Sequence, residues 1–236
     1  MGSDVGNSDE RPVHDVVLHD YWMAVVPVTC RLFAAFIRSE PSWSKRVHRG
    51  ERNQDYLADF QGDSPQKSRE DWPVRWVTWH AAAAFCQWAG TALPTEAQWE
   101  YAAGGRLGHR YGTVSGALLI RLANYGGKIG TVTPVRRFPP NPAGLHDMSG
   151  NVWEWCSDEY GAGFYGSPEA TVPNAHSGQG LNFRSDDWRS VDESSLRVIR
   201  GGSWQSMSSD LRTSARAHQV TSRPTDFCGF RCVLPG

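Results

Sequence analysis

Four residues near the middle of the chain could bind a hard cation. Asp147, Gly150, Val152 and Glu154 offer two carboxylates and two backbone carbonyls within one tight turn, Asp-Met-Ser-Gly-Asn-Val-Trp-Glu-Trp. Calcium takes oxygen ligands of this kind. The alternative is structural: Glu154 stands between two tryptophans, and a carboxylate in an apolar wall needs hydrogen-bond donors or a cation. Backbone N–H groups of a core-lining hairpin could supply those donors, so both interpretations stay open.

The five cysteines indicate no disulfide framework. They are odd in number and form no CxxC pair, which argues against a disulfide-stapled secreted domain. Cys86 falls on the apolar face of a predicted helix and is interpreted as core packing. Cys228 and Cys232 fall on one face of a predicted strand, too far apart there for an easy bridge.

Histidine chemistry has little support from spacing. The eight histidines are scattered along the chain, and none forms a recognisable arrangement with a serine and an aspartate. His80 begins a predicted helix and His146 precedes the Asp147 turn, so both are interpreted as structural. No phosphate-binding glycine loop is visible.

Composition predicts a turn-rich chain anchored by large aromatic residues. The 236 residues include 24 Gly, 14 Pro and 11 Trp, and the net charge is -1. Near-neutral charge argues against nucleic acid or a membrane surface as the main partner. No signal peptide or apolar span is visible, so we expect a cytoplasmic location with no membrane insertion. Surface display through a partner stays open. We expect one domain over residues 1–236, with surface excursions at 42–73 and 158–196.

Local patterns predict short elements around these residues. Thr29 and Thr78 are N-cap candidates for helices over 30–38 and 79–89, and Thr95-Glu-Ala-Gln98 is a capping box for a third helix. Two strands are expected within 13–28, with the Trp22–Val26 run buried. Short strands are expected within 104–144, and further strands at 197–200 and 229–234.

Several motifs, in order, resemble those of the formylglycine-generating enzyme (sulfatase-modifying factor) family. They are Leu-Pro-Thr-Glu-Ala-Gln-Trp-Glu-Tyr from Leu93, Gly-Leu-His-Asp-Met-Ser-Gly-Asn-Val-Trp-Glu-Trp from Gly144, Arg-Gly-Gly-Ser-Trp from Arg200 and Gly-Phe-Arg-Cys from Gly229. The resemblance covers essentially the whole chain. It implies an α+β, C-type-lectin-like fold with a small mixed sheet, two or three short helices and long irregular loops.

The resemblance also implies a second calcium site and a copper site, and this sequence lacks some of the ligands of each. In the family, an Asn side chain and the next carbonyl bind a second calcium, at positions matching Asn124 and Tyr125. The acidic loop that completes that site is shortened here to 126–131, which contains no Asp or Glu. The family's oxidase uses two cysteines to bind copper, and the matching positions are Ser206 and Leu211. Because Cu(I) prefers thiolates, no copper is expected, and structural calcium is the one expected cofactor.

Residues 204–228 are interpreted as a binding surface. Small polar and aromatic side chains are mixed there without periodicity. Such a mixture suits a surface that adapts its contacts to a binding partner. A branch of the resembled family, the variable proteins of diversity-generating retroelements, varies this stretch. Arg212, Arg216 and Arg231 are expected to fix the surrounding loops. The candidate ligand-binding residues are Trp204, Gln205, Ser206, Met207, Ser208, Asp210, His218, Ser222, Asp226 and Phe227.

The sequence therefore predicts a non-catalytic protein that binds a ligand, expected to be another protein. Two alternatives are an oxidoreductase of the same family with a non-standard site, and an inactive relative that binds the active enzyme. No catalytic residue is assigned.

Overall fold

The computed structural model describes residues 1–48, 55–177, 189 and 191–236. Its helices and strands are short. The helices are α1 (Cys30–Ser39), α2 (Lys45–His48), α3 (Trp79–Trp88) and α4 (Glu96–Ala103), and the strands are β1 (Tyr21–Met23), β2 (Phe60–Gln61), β3 (Ser64–Pro65), β4 (Trp153–Glu159), β5 (Leu196–Arg200), β6 (Arg216–Val220), β7 (Cys228–Gly229) and β8 (Val233–Pro235).

The predicted N-caps begin the three longer helices. The hydroxyl oxygens of Thr29, Thr78 and Thr95 each accept a hydrogen bond from the backbone N–H three residues on. At Thr95 the Gln98 side chain also accepts from the Thr95 N–H, so the predicted capping box is complete. Helix α3 ends at Ala89, before Gly90 in the left-handed region at φ +69°.

A four-stranded sheet and a two-stranded sheet organise the chain. The four-stranded sheet has the order β6-β5-β4-β7, with β4 antiparallel to β5 and parallel to β7. This two-stranded sheet pairs β1 with β8, which brings the N-terminal and C-terminal parts of the chain together; β2 and β3 form a second two-stranded sheet. The β1–β8 pairing therefore places the strand at the end of the chain beside a strand near its beginning.

Two hydrophobic clusters lie against the four-stranded sheet. The larger cluster packs aromatic side chains of α1 and α3, such as Phe33 and Phe85, against Trp155 and Phe230. The smaller cluster surrounds Trp99 of α4. Three fully buried indoles also donate hydrogen bonds: Trp79 to the Cys156 carbonyl, Trp155 to the Val77 carbonyl and Trp99 to Glu154.

Two predictions of local structure were wrong. Residues 13–20 are extended but form no strand, and Trp22 is 74% exposed where burial was expected. Side chains alternate between the two faces of a strand, and Trp22 lies on the face of β1 that is open to solvent, between the partly buried Tyr21 and Met23. Residues 104–144 are turns and loops, without the short strands expected there. The Asp186-Asp187-Trp188 part of the 158–196 excursion lies outside the described residues.

The described helices include none that is both long and apolar enough to cross a bilayer.

Cys86 and Cys232 lie together in the interior, which the sequence did not predict. Their sulfur atoms are 3.5 Å apart, and both side chains are buried. A hydrogen bond from Cys86 lowers the pKa of the Cys232 thiol, whereas burial raises the pKa of the Cys86 thiol. Cys232 therefore pairs with a thiol on α3, and not with Cys228.

Refolding in glutathione disulfide should cross-link Cys86 to Cys232 and raise the free energy of unfolding. A bridge between residues 146 positions apart constrains the unfolded chain, so we expect a gain of about 2–4 kcal/mol. Non-reducing peptide mapping and urea unfolding measure the link and the gain. Cys86→Ala should abolish both, whereas Cys228→Ala should leave the link intact. A Cys228–Cys232 cross-link would contradict the arrangement.

Candidate functional site

Glu154 is fully buried and is paired with an arginine. Its Oε2 accepts hydrogen bonds from Arg231 Nε at 2.7 Å and from Trp99 Nε1 at 2.7 Å, and its Oε1 accepts from Arg231 Nη2 at 2.8 Å. Neither residue of the pair has exposed side-chain surface. The expected need for a partner was met, but the donors are side chains 55 and 77 positions away, and not the backbone of a hairpin.

Asp147 is the carboxylate of this turn that lacks an arginine of its own. Its Oδ2 accepts a 3.2 Å hydrogen bond from the Arg136 backbone N–H. Burial raises the pKa of Asp147 to about 6. The hydrogen bond from Arg136 and the charge of Arg231 oppose this rise, and the negative charge of Glu154 adds to it slightly. Negative charge at Asp147 is therefore only partly compensated by the protein itself.

The remaining two oxygens of the predicted calcium turn are backbone carbonyls. The Gly150 carbonyl accepts from Val152 N–H at 3.0 Å, and Val152 is buried. Gly150 has φ +94°, and a side chain there would clash with the Asn124 carbonyl. A cation here would rest on Asp147, two carbonyls and a carboxylate already shared with Arg231. In the described part of the chain, no three His, Cys, Asp or Glu side chains form a metal-binding group, so calcium at this turn stays a prediction.

An orphaned side-chain oxygen of Asn124 lies next to this turn. Asn124 is 1% exposed, and its Oδ1 has no hydrogen-bond partner among the described residues. Its Nδ2 donates to the Thr131 carbonyl at 2.9 Å, and the Tyr125 carbonyl accepts from Lys128 N–H at 3.3 Å. A buried acceptor without a donor needs a ligand such as water or a cation. The donor set therefore fits a cation in part, and the second calcium site also stays a prediction.

The positions that match the copper-binding cysteines do not fit copper. The Ser206 hydroxyl accepts from Ser203 N–H at 3.0 Å and lies 3.2 Å from the Ser203 hydroxyl. Leu211 is fully buried, and its side chain fills the space beside Gly202 and Gly150. The hydrogen-bonded hydroxyl of Ser206 and the apolar side chain of Leu211 therefore offer no soft ligand for Cu(I).

The loop over residues 204–210 is held at its base and exposed at its tip. Trp204 N–H donates to the Asn151 carbonyl at 2.9 Å, and Gly127 N–H donates to the Trp204 carbonyl at 2.8 Å. Gln205, Met207 and Ser208 are exposed, with Met207 at 68%. Asp210 closes the tip by accepting from Met207 N–H. The six predicted ligand-binding residues of this loop therefore lie together.

The other four predicted ligand-binding residues lie elsewhere around the four-stranded sheet. Phe227 flanks the start of β4, where its carbonyl accepts from Trp153 N–H, and the neighbouring Asp226 carbonyl accepts from Arg75. His218 lies on β6 with its ring 4.2 Å from that of Tyr160, and Ser222 N–H donates to the Glu193 carbonyl. Tyr160, 58 positions before His218 in the sequence, gave no sequence signal for this contact.

Buried arginines on both sides of the 204–210 loop in sequence connect this region to the rest of the chain. Arg212 forms a bidentate ion pair with Glu10, at 2.6 and 2.7 Å. Arg216 and Arg200 both contact Glu96 at the start of α4. The predicted role of Arg212, Arg216 and Arg231 in fixing loops is confirmed. Arg200 was missed, although an arginine after Val-Ile in a strand is a signal of a buried pair.

A family model described as "Sulfatase-modifying factor enzyme 1-like domain" matches residues 1–235. The serine/threonine-protein kinase Pkn1 of Chlamydia trachomatis serovar L2 is 36% identical over 239 residues, covering 98% of this chain and 36% of the kinase. The formylglycine-generating enzyme of Streptomyces coelicolor is 30% identical over 270 residues, covering 95% of this chain and 81% of that enzyme. The chain thus spans little more than a third of the length of the Chlamydia relatives.

Two solved structures share the fold. Treponema denticola variable protein 1 has a TM-score of 0.75 and 22% identity, and the match covers 100% of this chain and 91% of that one. PvdO from Pseudomonas aeruginosa has a TM-score of 0.74 and 23% identity, covering 100% and 90%. With the short helices and small sheets, these matches confirm the predicted α+β, C-type-lectin-like fold.

Proposed function

The chain belongs to the family of sulfatase-modifying factor enzyme 1-like domains, and from this premise we propose that it is a non-catalytic member that binds a protein ligand. In this proposal the binding surface is centred on the 204–210 loop. Calcium is a structural cofactor in this proposal, and no residue is catalytic.

The packing of Leu211 is the observation that carries the proposal. A fully buried leucine stands where the family's oxidase would need a metal-binding sulfur, and the Ser206 hydroxyl is engaged with Ser203. A leucine between Gly202 and Gly150 stabilises the base of the loop through apolar contact. The loop base therefore supports a rigid platform better than a redox centre.

The exposed tip supports binding in a second way. Gln205, Met207 and Ser208 project from a backbone that is pinned to residues 126, 127 and 151. Met adapts its shape to irregular partner surfaces, and Ser and Gln supply adjustable hydrogen bonds. Because these side chains are exposed, changing them costs little folding energy, so recognition can vary while the fold does not.

A displayed library randomised at Gln205, Met207 and Ser208 should yield binders to purified hen lysozyme and to serum albumin. A matched library at Leu119, Ile120 and Arg121, which are exposed residues of another loop, should yield few. We expect selected binders to melt within a few degrees of the parent protein, since surface changes alter stability by roughly 0.5 kcal/mol or less.

Equal enrichment from the control loop would contradict the proposal, as would selected binders that melt far below the parent. Metal analysis of the purified chain addresses the rival oxidoreductase. Copper or iron at full occupancy, with formation of formylglycine on a cysteine peptide, would favour catalysis over binding.

A further inference from the structure

A groove runs between the extended segment 13–20 and the exposed face of α4. It consists of two adjoining cavities of about 530 and 680 Å³. Val16, Leu18, Tyr101 and Arg106 contribute to the walls of both cavities, so the two form one continuous depression. None of the ten candidate ligand-binding residues lines it.

The walls of the groove are apolar and partly open to solvent. Val16 and Leu18 are half-buried, whereas Asp15 and Val17 are exposed. This alternation places one side of the segment against the groove. Tyr101 on the opposite wall is 53% exposed. Aromatic and branched side chains left open along a depression are typical of a binding surface.

Positive charge is concentrated at the first cavity. Arg106 and Arg110 line it and are exposed, and the ion pairs formed within the described residues include neither of them. The other charged side chains there are already paired, since Glu100 contacts Arg200 and Arg212 contacts Glu10. Two uncompensated guanidinium groups therefore remain to meet an anion.

The second cavity differs in charge, which gives the groove a direction. Arg106 lines it too, but it lacks Arg110 and adds Asp20 and apolar residues such as Trp22 and Leu145. A ligand should therefore place its acidic groups at the first cavity and its apolar groups at the second. A uniformly acidic ligand would meet Asp20 unfavourably.

We propose that this groove binds an extended peptide segment whose acidic side chains contact Arg106 and Arg110 and whose apolar side chains contact Tyr101 and the second cavity. The two cavities together exceed the roughly 300–1,000 Å³ of sites for drug-sized ligands. The wall also has free backbone groups: the N–H groups of Val16 and Leu18 have no acceptor in the described part of the chain, whereas the Val17 carbonyl and the His19 N–H already pair with Asn174. An extended peptide can pair with such a segment as an added strand.

Fluorescence polarisation with a labelled short peptide that carries aspartates in one half and leucines in the other tests the proposal. We expect saturable binding that weakens with added salt, and at least about tenfold weaker binding of the asparagine–leucine analogue. Arg106→Glu combined with Arg110→Glu should weaken binding by about tenfold or more. Arg38→Glu combined with Arg46→Glu is the matched control, because both are exposed arginines on α1 and α2, away from the groove. Tyr101→Ala should weaken binding at unchanged net charge.

Three outcomes would overturn the proposal: equal binding of a lysine–leucine peptide, equal loss in the two double variants, or binding of laurate without binding of the acidic peptide. The last would assign the groove to a small amphiphile. Because no residue of the displayed-library experiment lines the groove, either proposal can fail while the other stands.

Discussion

Replacing Glu154 with alanine should lower the free energy of unfolding by about 3–5 kcal/mol, because it leaves Arg231 charged, buried and without its carboxylate. Trp99 Nε1 loses its acceptor in the same change. For a chain of this size the loss corresponds to a fall in melting temperature of roughly 10 °C. Urea unfolding followed by tryptophan fluorescence measures it.

A double-mutant cycle separates the ion pair from simple truncation. Glu154→Leu combined with Arg231→Met removes both charges, so the double variant should be more stable than Glu154→Ala. A loss of under 1 kcal/mol in Glu154→Ala, or a double variant as unstable as the sum of the single ones, would contradict the pairing of Glu154 with Arg231.

This ion pair also shows how calcium must be tested. A fall in stability in Glu154→Ala follows from the loss of Arg231's partner whether or not calcium binds. Asp147 is the better probe, because it accepts a single backbone hydrogen bond and has no arginine of its own. If calcium binds, a chelator should lower the melting temperature of the parent, and Asp147→Asn should remove that response. An unchanged melting temperature of the parent protein in the presence of the chelator would contradict the calcium prediction.

Local chemistry was predictable from the sequence wherever the partner is close in the chain. Thr95 and Gln98 satisfy each other within one turn, and Thr78 caps the helix that it precedes. Strong short-range rules decide such features. The need for glycine at 201 and 202, by contrast, comes from distant side chains, because a side chain at Gly201 would meet Trp99 and one at Gly202 would meet Leu211.

Features that depend on distant partners could not be predicted. The sequence indicated that Glu154 needs a partner, but Arg231 is one of many arginines and nothing in the spacing selects it. Cys86 and Cys232 meet because β8 returns beside the segment after α3, where Ala92 bridges Val233. Trp22 was misjudged because hydrophobicity indicated burial, whereas the tertiary packing over each face of a strand decides which side chains are exposed. His218 lies on β6 and Ser222 lies in the turn after that strand, so neither belongs to the 204–210 loop although both are close to it in sequence.

Glu96→Gln should lower the free energy of unfolding by about 3–5 kcal/mol, because one carboxylate holds two buried arginines. Glu96 Oε1 lies 2.7 Å from Arg200 Nη1 and 2.7 Å from Arg216 Nε, and all three side chains are 0–1% exposed. Without that charge, Arg200 keeps one carboxylate partner, Glu100. Arg216 then has no carboxylate in contact among the described residues. Glu40→Gln is the matched control, since Glu40 is exposed and should change stability by roughly 0.5 kcal/mol or less.

The pH dependence of the Glu96 variant identifies the charge as the cause. Burial alone would raise the pKa of Glu96, but Arg200 and Arg216 together hold it below its ordinary value of 4.5. A lowered pKa contributes stability that is complete above pH 4.5 and is lost as the pH falls from there through the folded-state pKa. The parent should therefore lose stability in that acid range, whereas Glu96→Gln, which has no proton to take up there, should lose less. Parallel losses in the two proteins would show that packing, and not charge, joins α4 to strands β5 and β6.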